Sequence, residues 1–267
     1  MTTRLTHPRL WRNLALAGAT AGLAATPLAA EIIPQMGATL WLAQAEGGEG
    51  GEAGAVANVS PDIAYLARLA IVEGHLVAAT ELYRKGMVDE AVGLSGHPEA
   101  EMMDEVRDTL TAHNAPDISP AMEELTNVMA SAAPIGDVEA ALARVQVAIA
   151  AAAAKGDAAP RVQIDALIAL TRAAASEYAG SIKDGAIDDV MAFQEAHGFI
   201  EVAKVRAQIL AASLDPVVAS VGAKTLDTLG ATAAAFDAIE TTAPKPGDAT
   251  ILAAAAARIE LAAFAVK

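Results

Sequence analysis

Residues 60–86 read SPDIAYLARLAIVEGHLVAATELYRKG, and this stretch decides the fold. Ser60-Pro61 pairs a capping side chain with the one residue that has no N–H to satisfy in a first helical turn, and Gly86 supplies the stop. Between them Tyr65, Leu69, Val72, Leu76, Ala79 and Tyr83 recur at steps that alternate four and three. That alternation is the apolar seam of a helix packed in a bundle. The spacing predicts a helix near 61–85.

The same grammar runs on toward the C-terminus. Starts are expected at His97-Pro98, Ser119-Pro120 and Asp215-Pro216, and further stops at Gly156 and Gly185. Two more seams stand out: Ile135, Val138, Leu142, Val145, Ile149, and Phe193, Ala196, Ile200, Ala203, Ala207, Leu210, Leu214. Helices are therefore expected near 61–85, 98–113, 120–132, 136–155, 161–184, 187–214, 216–240 and 248–266, with a short helical turn near 87–93. No β-branched alternation bounded by turn residues competes with them. One tetratricopeptide-like pattern, Leu76 to Ala91, has no second copy, and an array needs at least about three. The expected architecture is all-α, an antiparallel helical bundle of long alanine-rich helices over residues 58–267.

Upstream, Arg4, Arg9 and Arg12 precede an apolar stretch from Leu14 to Ala30, the pattern of a secretory signal peptide over residues 1–30. Ala43-Gln44-Ala45 offers an alternative cleavage point, after Ala45. Pro27 and Glu31 interrupt what an anchor would need, about 20 continuous apolar residues. The expectation is a periplasmic protein with no stable membrane insertion after processing. Residues 46–57, with three glutamates among glycines, read as a flexible charged segment.

Lys and Arg number 18 against 33 Asp and Glu, a formal charge of −15. Removing residues 1–30 removes three arginines and no acid, which lowers it to −18. Nucleic acid is excluded as a partner, because neutralising phosphates requires clustered Lys and Arg. Cations and basic proteins are permitted. The absence of cysteine excludes thiol catalysis and thiolate metal sites.

Chemistry then falls to the histidines. His75 borders the seam between Val72 and Ala79, beside Gly74, where a ligand or a second helix could approach. His97 has Glu101 four residues on, and His197 has Glu201 four residues on and Gln194 three back, so each set shares a helix face. Glu195, two positions from His197, is expected to point elsewhere. His113 closes its helix, where a cation suits the dipole. Each of the three also has a plain structural reading: His75 as a hydrogen-bonded residue at the edge of the core, His97 as the residue that precedes a helix, and His197 as the partner of Glu201 on a solvated flank. No nucleophile motif, phosphate loop or His-Glu-x-x-His pair accompanies them, which argues against an enzyme.

Two stretches resemble a family of exported bacterial helical proteins with no established activity. They are Gly74-His75-Leu76 with Leu82-Tyr83, Gly86 and His97-Pro98-x-x-Glu101, and Glu177-Tyr178 with Asp184-Gly185 and Gln194-Glu195-Ala196-x-Gly198-Phe199. The resemblance implies a helical fold and no particular reaction. A looser similarity is to the imelysin-like periplasmic proteins, helical bundles associated with iron uptake. Those carry His-x-x-Glu, and no histidine here has glutamate three positions on, so no residue is carried over. The expectation from residues and resemblance together is a periplasmic binding protein for a transition metal ion or haem, with His75, His97, Glu101, His197 and Glu201 as ligands. The alternative is a non-catalytic structural or interaction protein that meets another protein of the cell envelope.

Overall fold

Ser60 caps the deciding helix as its sequence predicts: its Oγ accepts from the Ile63 N–H, Pro61 follows, and the chain leaves the helix through Gly86 at φ +83°. This is α2 (Pro61–Arg84) in a computed structural model that describes residues 49–157, 159–236, 238–241 and 245–266. The expected signal peptide and both of its possible ends lie outside the described residues. Within them are α1 (Glu49–Val56), α2, α3 (Val88–Glu101), α4 (Met103–Ala112), α5 (Ser119–Ala130), α6 (Ile135–Ala153), α7 (Pro160–Gly180), α8 (Val190–Ala211), α9 (Pro216–Gly230) and α10 (Thr250–Ala263). A 3-10 turn, Ala231–Ala235, and a two-stranded hairpin of β1 (Ile182–Lys183) and β2 (Ala186–Ile187) complete the fold, which is all-α as expected.

Five local expectations need correction. The Gly/Glu-rich segment is helical from Glu49, because Val56 and Glu52 find cover against the body of the protein. His97-Pro98 does not begin a helix. Asp89 and Glu90 favour an earlier start by complementing the helix N-terminus, α3 runs through Pro98, and the break comes at Met102, where φ is −141°. Gly185 at φ +80° turns the hairpin rather than ending a helix. The helix expected to reach 240 ends at Gly230, where it tightens into the 3-10 turn, and Leu214 lies past the end of α8, fully exposed.

α2 stands between two hydrophobic clusters. Tyr65, Leu69, Val72, Leu76, Ala79, Leu82 and Tyr83 pack with α3 to α6, while Ala64, Ala67, Ala70 and Ile71 pack with α7 to α10. The predicted seam is one of its two faces, and both are covered. Among the described residues α2 is long and apolar enough to cross a membrane, yet 78% of that apolar window is buried inside the protein. A helix apolar all round is what a core helix requires.

α8 is the second central helix and crosses α2 where both carry glycine. A methyl on Gly198 would overlap the Gly74 carbonyl oxygen and stand 2.8 Å from the Ala78 Cβ; a methyl on Gly74 would overlap the Phe199 ring. The backbones touch here because neither residue has a side chain. That contact fixes the depth at which His75 and Glu195, one and three residues from the glycines, face each other.

Candidate metal centre

His75 is fully buried, and its Nδ1–H donates to the Ile71 carbonyl at 3.0 Å. A ring tied down at one nitrogen presents the other, and such a bond fixes the tautomer in metal-binding histidines. Nε2 faces Glu52 Oε1 of α1 at 3.1 Å, Glu195 Oε1 of α8 at 3.6 Å and Glu101 Oε2 of α3 at 4.0 Å. None of these makes a hydrogen bond of proper geometry with it. Glu195 and Glu101 stand beyond hydrogen-bond distance from it, and Glu52, though near enough, is not aligned for one.

His97 closes the group from α3. Its Nδ1–H donates to Glu195 Oε1 at 3.0 Å and stands 3.3 Å from Glu101 Oε1, one turn along the same helix. His75, His97, Glu101 and Glu195 each bring one donor atom into a set whose members lie within 4.8 Å of one another. Ligands about 2.1 Å from a common ion are spaced about 3.0 Å apart at right angles and about 3.4 Å apart in a tetrahedron. The short separations here fall in that range. The side chains of His75 and Glu195 are 0% and 7% exposed, whereas those of His97 and Glu101 are 27% and 26% exposed, so solvent reaches the centre from the α3 side.

Electrostatics follow from this crowding of acids. Burial opposes a charge on His75, but Glu52 and Glu195 outweigh it and hold the imidazole well above its usual range. The hydrogen bond to Glu195 raises His97. Burial alone would raise Glu195, but its closeness to both imidazoles, with a hydrogen bond from His97, prevails and takes it down to about 2. Glu101 is raised by burial. Glu177 of α7, 3% exposed, is pushed up to about 8 by burial and then by Glu195 and Glu52, and its Oε1 has no hydrogen-bond partner. Protons on His75 and His97 thus occupy the positions a cation would take.

Of the five residues singled out in the sequence, the structure brings together His75, His97 and Glu101. His197 and Glu201 are not among them. They lie on the opposite side of α8 from Glu195, where His197 packs edge-on against Phe236 at 5.2 Å and burial lowers its pKa, and Glu201 pairs with Lys204 at 2.6 Å. Glu195 does point away from His197, as expected, and the direction it takes is toward His75 and His97, because α8 is buried on both sides: Glu195 shares a stripe with Ala192, Phe199 and Val202, all buried. His113 stacks on Tyr65 at 3.9 Å and closes α4, outside the centre.

Glu52 and Glu177 are not among the ligands expected from the sequence. The signal for Glu177 was an acid inside the buried run Leu170, Ala173, Ala174, Tyr178 with no base one turn away. Glu52 gave little signal, since glycines dominate its neighbourhood. Comparison with protein-family models, with curated proteins and with solved structures finds nothing that matches this chain.

Proposed function

We propose that this chain is an exported, helical protein that binds divalent transition-metal ions through His75, His97, Glu101 and Glu195, with Glu52 completing the shell. The observation that carries the reading is His75 Nε2: fully buried, its ring oriented by a backbone carbonyl, without a hydrogen-bond partner, and faced within 4.0 Å by carboxylates from three other helices. Imidazole and carboxylate together suit manganese, iron, zinc and their neighbours rather than calcium, which prefers an all-oxygen shell. Haem fits less well, since donors within 4.8 Å of one another leave no room for a macrocycle between them. The Arg4 to Ala30 pattern supports export, which would place the centre where scarce metals are captured from outside the cell.

Chelator-treated protein titrated calorimetrically with Mn(II) and Zn(II) tests this reading. His75→Ala and Glu195→Gln should weaken binding by on the order of 100-fold or more, since even outer-shell partners are worth 10–100-fold. His197→Ala and Glu201→Ala should leave it unchanged. Affinity that survives His75→Ala, or no ion bound more tightly than about 100 μM, would remove the reading.

A further inference from the structure

We infer that the centre is dinuclear: two divalent ions lie side by side, one on His75 and one on His97, bridged by Glu101 and Glu195. This rests on the proposed metal-binding function and goes beyond it in number, geometry and kind of site.

The donors divide into two sets. Around the first position stand His75 Nε2, Glu52 Oε1 at 3.1 Å from it and Glu101 Oε2 at 4.0 Å. Around the second stand His97 Nδ1, Glu195 Oε1 at 3.0 Å from it and Glu101 Oε1 at 3.3 Å. Glu101 therefore turns one oxygen to each histidine, the posture of a carboxylate that spans two ions. Glu195 Oε1, 3.6 Å from His75 Nε2 as well, lies between the two positions.

Among the described residues the ion pairs of Glu52, Glu101 and Glu195 are all with His75 and His97, so no other base competes for these carboxylates. Glu177 adds the unpartnered group: 3% exposed, its Oε1 without a hydrogen-bond partner and covered by Gly51 of α1, where even a methyl would overlap it. Glutamates and two histidines on facing helices are the kind of donors from which helical proteins build paired-metal carboxylate centres, with ions about 3.5–4 Å apart.

The test counts ions and asks whether they are neighbours. Chelator-treated full chain is dialysed to equilibrium against Mn(II), bound metal is counted, and the electron paramagnetic resonance spectrum is recorded. Two ions per chain are expected, with a multiline spectrum whose hyperfine spacing is half that of an isolated ion. His97→Ala, a change at a partly exposed side chain, should bind one ion and give an isolated-ion spectrum, with its circular dichroism unchanged. One ion per chain in the wild type, or two that give only isolated-ion spectra, would overturn the dinuclear centre while leaving the proposed function standing. No bound ion would end both.

Discussion

Glu177→Gln on the metal-free protein probes the electrostatics of the centre directly. The wild-type carboxyl sits at about 8 when folded against an ordinary 4.5, and it is 3% exposed. Because the folded state holds the proton more tightly, the stabilisation is fully present below about pH 4.5 and is lost as pH rises through about 8. At about 1.4 kcal/mol per unit, the loss is at most about 5 kcal/mol between those limits. Glutamine keeps the shape and stays neutral, so the variant lacks this slope, while contributions from His75, His97 and Glu195 are common to both proteins. Urea unfolding followed by circular dichroism between about pH 5 and 9 should show the variant gaining stability over the wild type by several kcal/mol as pH rises. Parallel curves would refute the reasoning and mean that the Glu177 carboxyl is ionised or solvated at neutral pH.

Gly198→Ala drives a methyl into the Gly74 carbonyl oxygen. Backbone cannot yield as a side chain can, so the expected loss is at the upper end of the overpacking range, about 3 kcal/mol, and metal affinity should fall with it; denaturation midpoints within about 0.5 kcal/mol of wild type would contradict the close helix crossing. Metal affinity should fall as pH is lowered, and from above pH 6.5, because an ion must displace the proton from a His75 held well above that value. Calorimetry in buffers of different ionisation heat should find at least about one proton released per ion, and a pH-independent affinity would count against His75 as a ligand. Processing after Ala30 leaves Trp41 as the single tryptophan and processing after Ala45 leaves none, so intact mass and fluorescence of protein from a periplasmic extract distinguish them. Full-length chain in the cytoplasm would contradict export.

The helices were legible because their apolar residues recur at three and four and their ends carry Ser60, Asp215 and Gly86, signals that act within a few residues. Half of the centre was legible for the same reason, since His97 and Glu101 lie one turn apart and His75 lies on a seam. Glu195 is hidden because it lies off the narrow seam from Phe193 to Leu214, whereas burial of Ala192, Phe199 and Val202 widens the covered face of α8 to most of its circumference. The exact break at Met102 was hidden as well, because Pro98 can open a helix or be carried inside one. What placed Glu52 and Glu177 in the centre is tertiary: α1 folding over α7 and two glycines letting α2 and α8 meet.

Anomalous diffraction at the metal edge, from crystals of chelator-treated protein soaked in Mn(II), bears on the central claim most directly. Density is expected among His75 Nε2, His97 Nδ1, Glu101 and Glu195, resolved as a pair of neighbouring peaks bridged by Glu101. Peaks only at surface acids, with His75 Nε2 still ringed by free carboxylates, would contradict it.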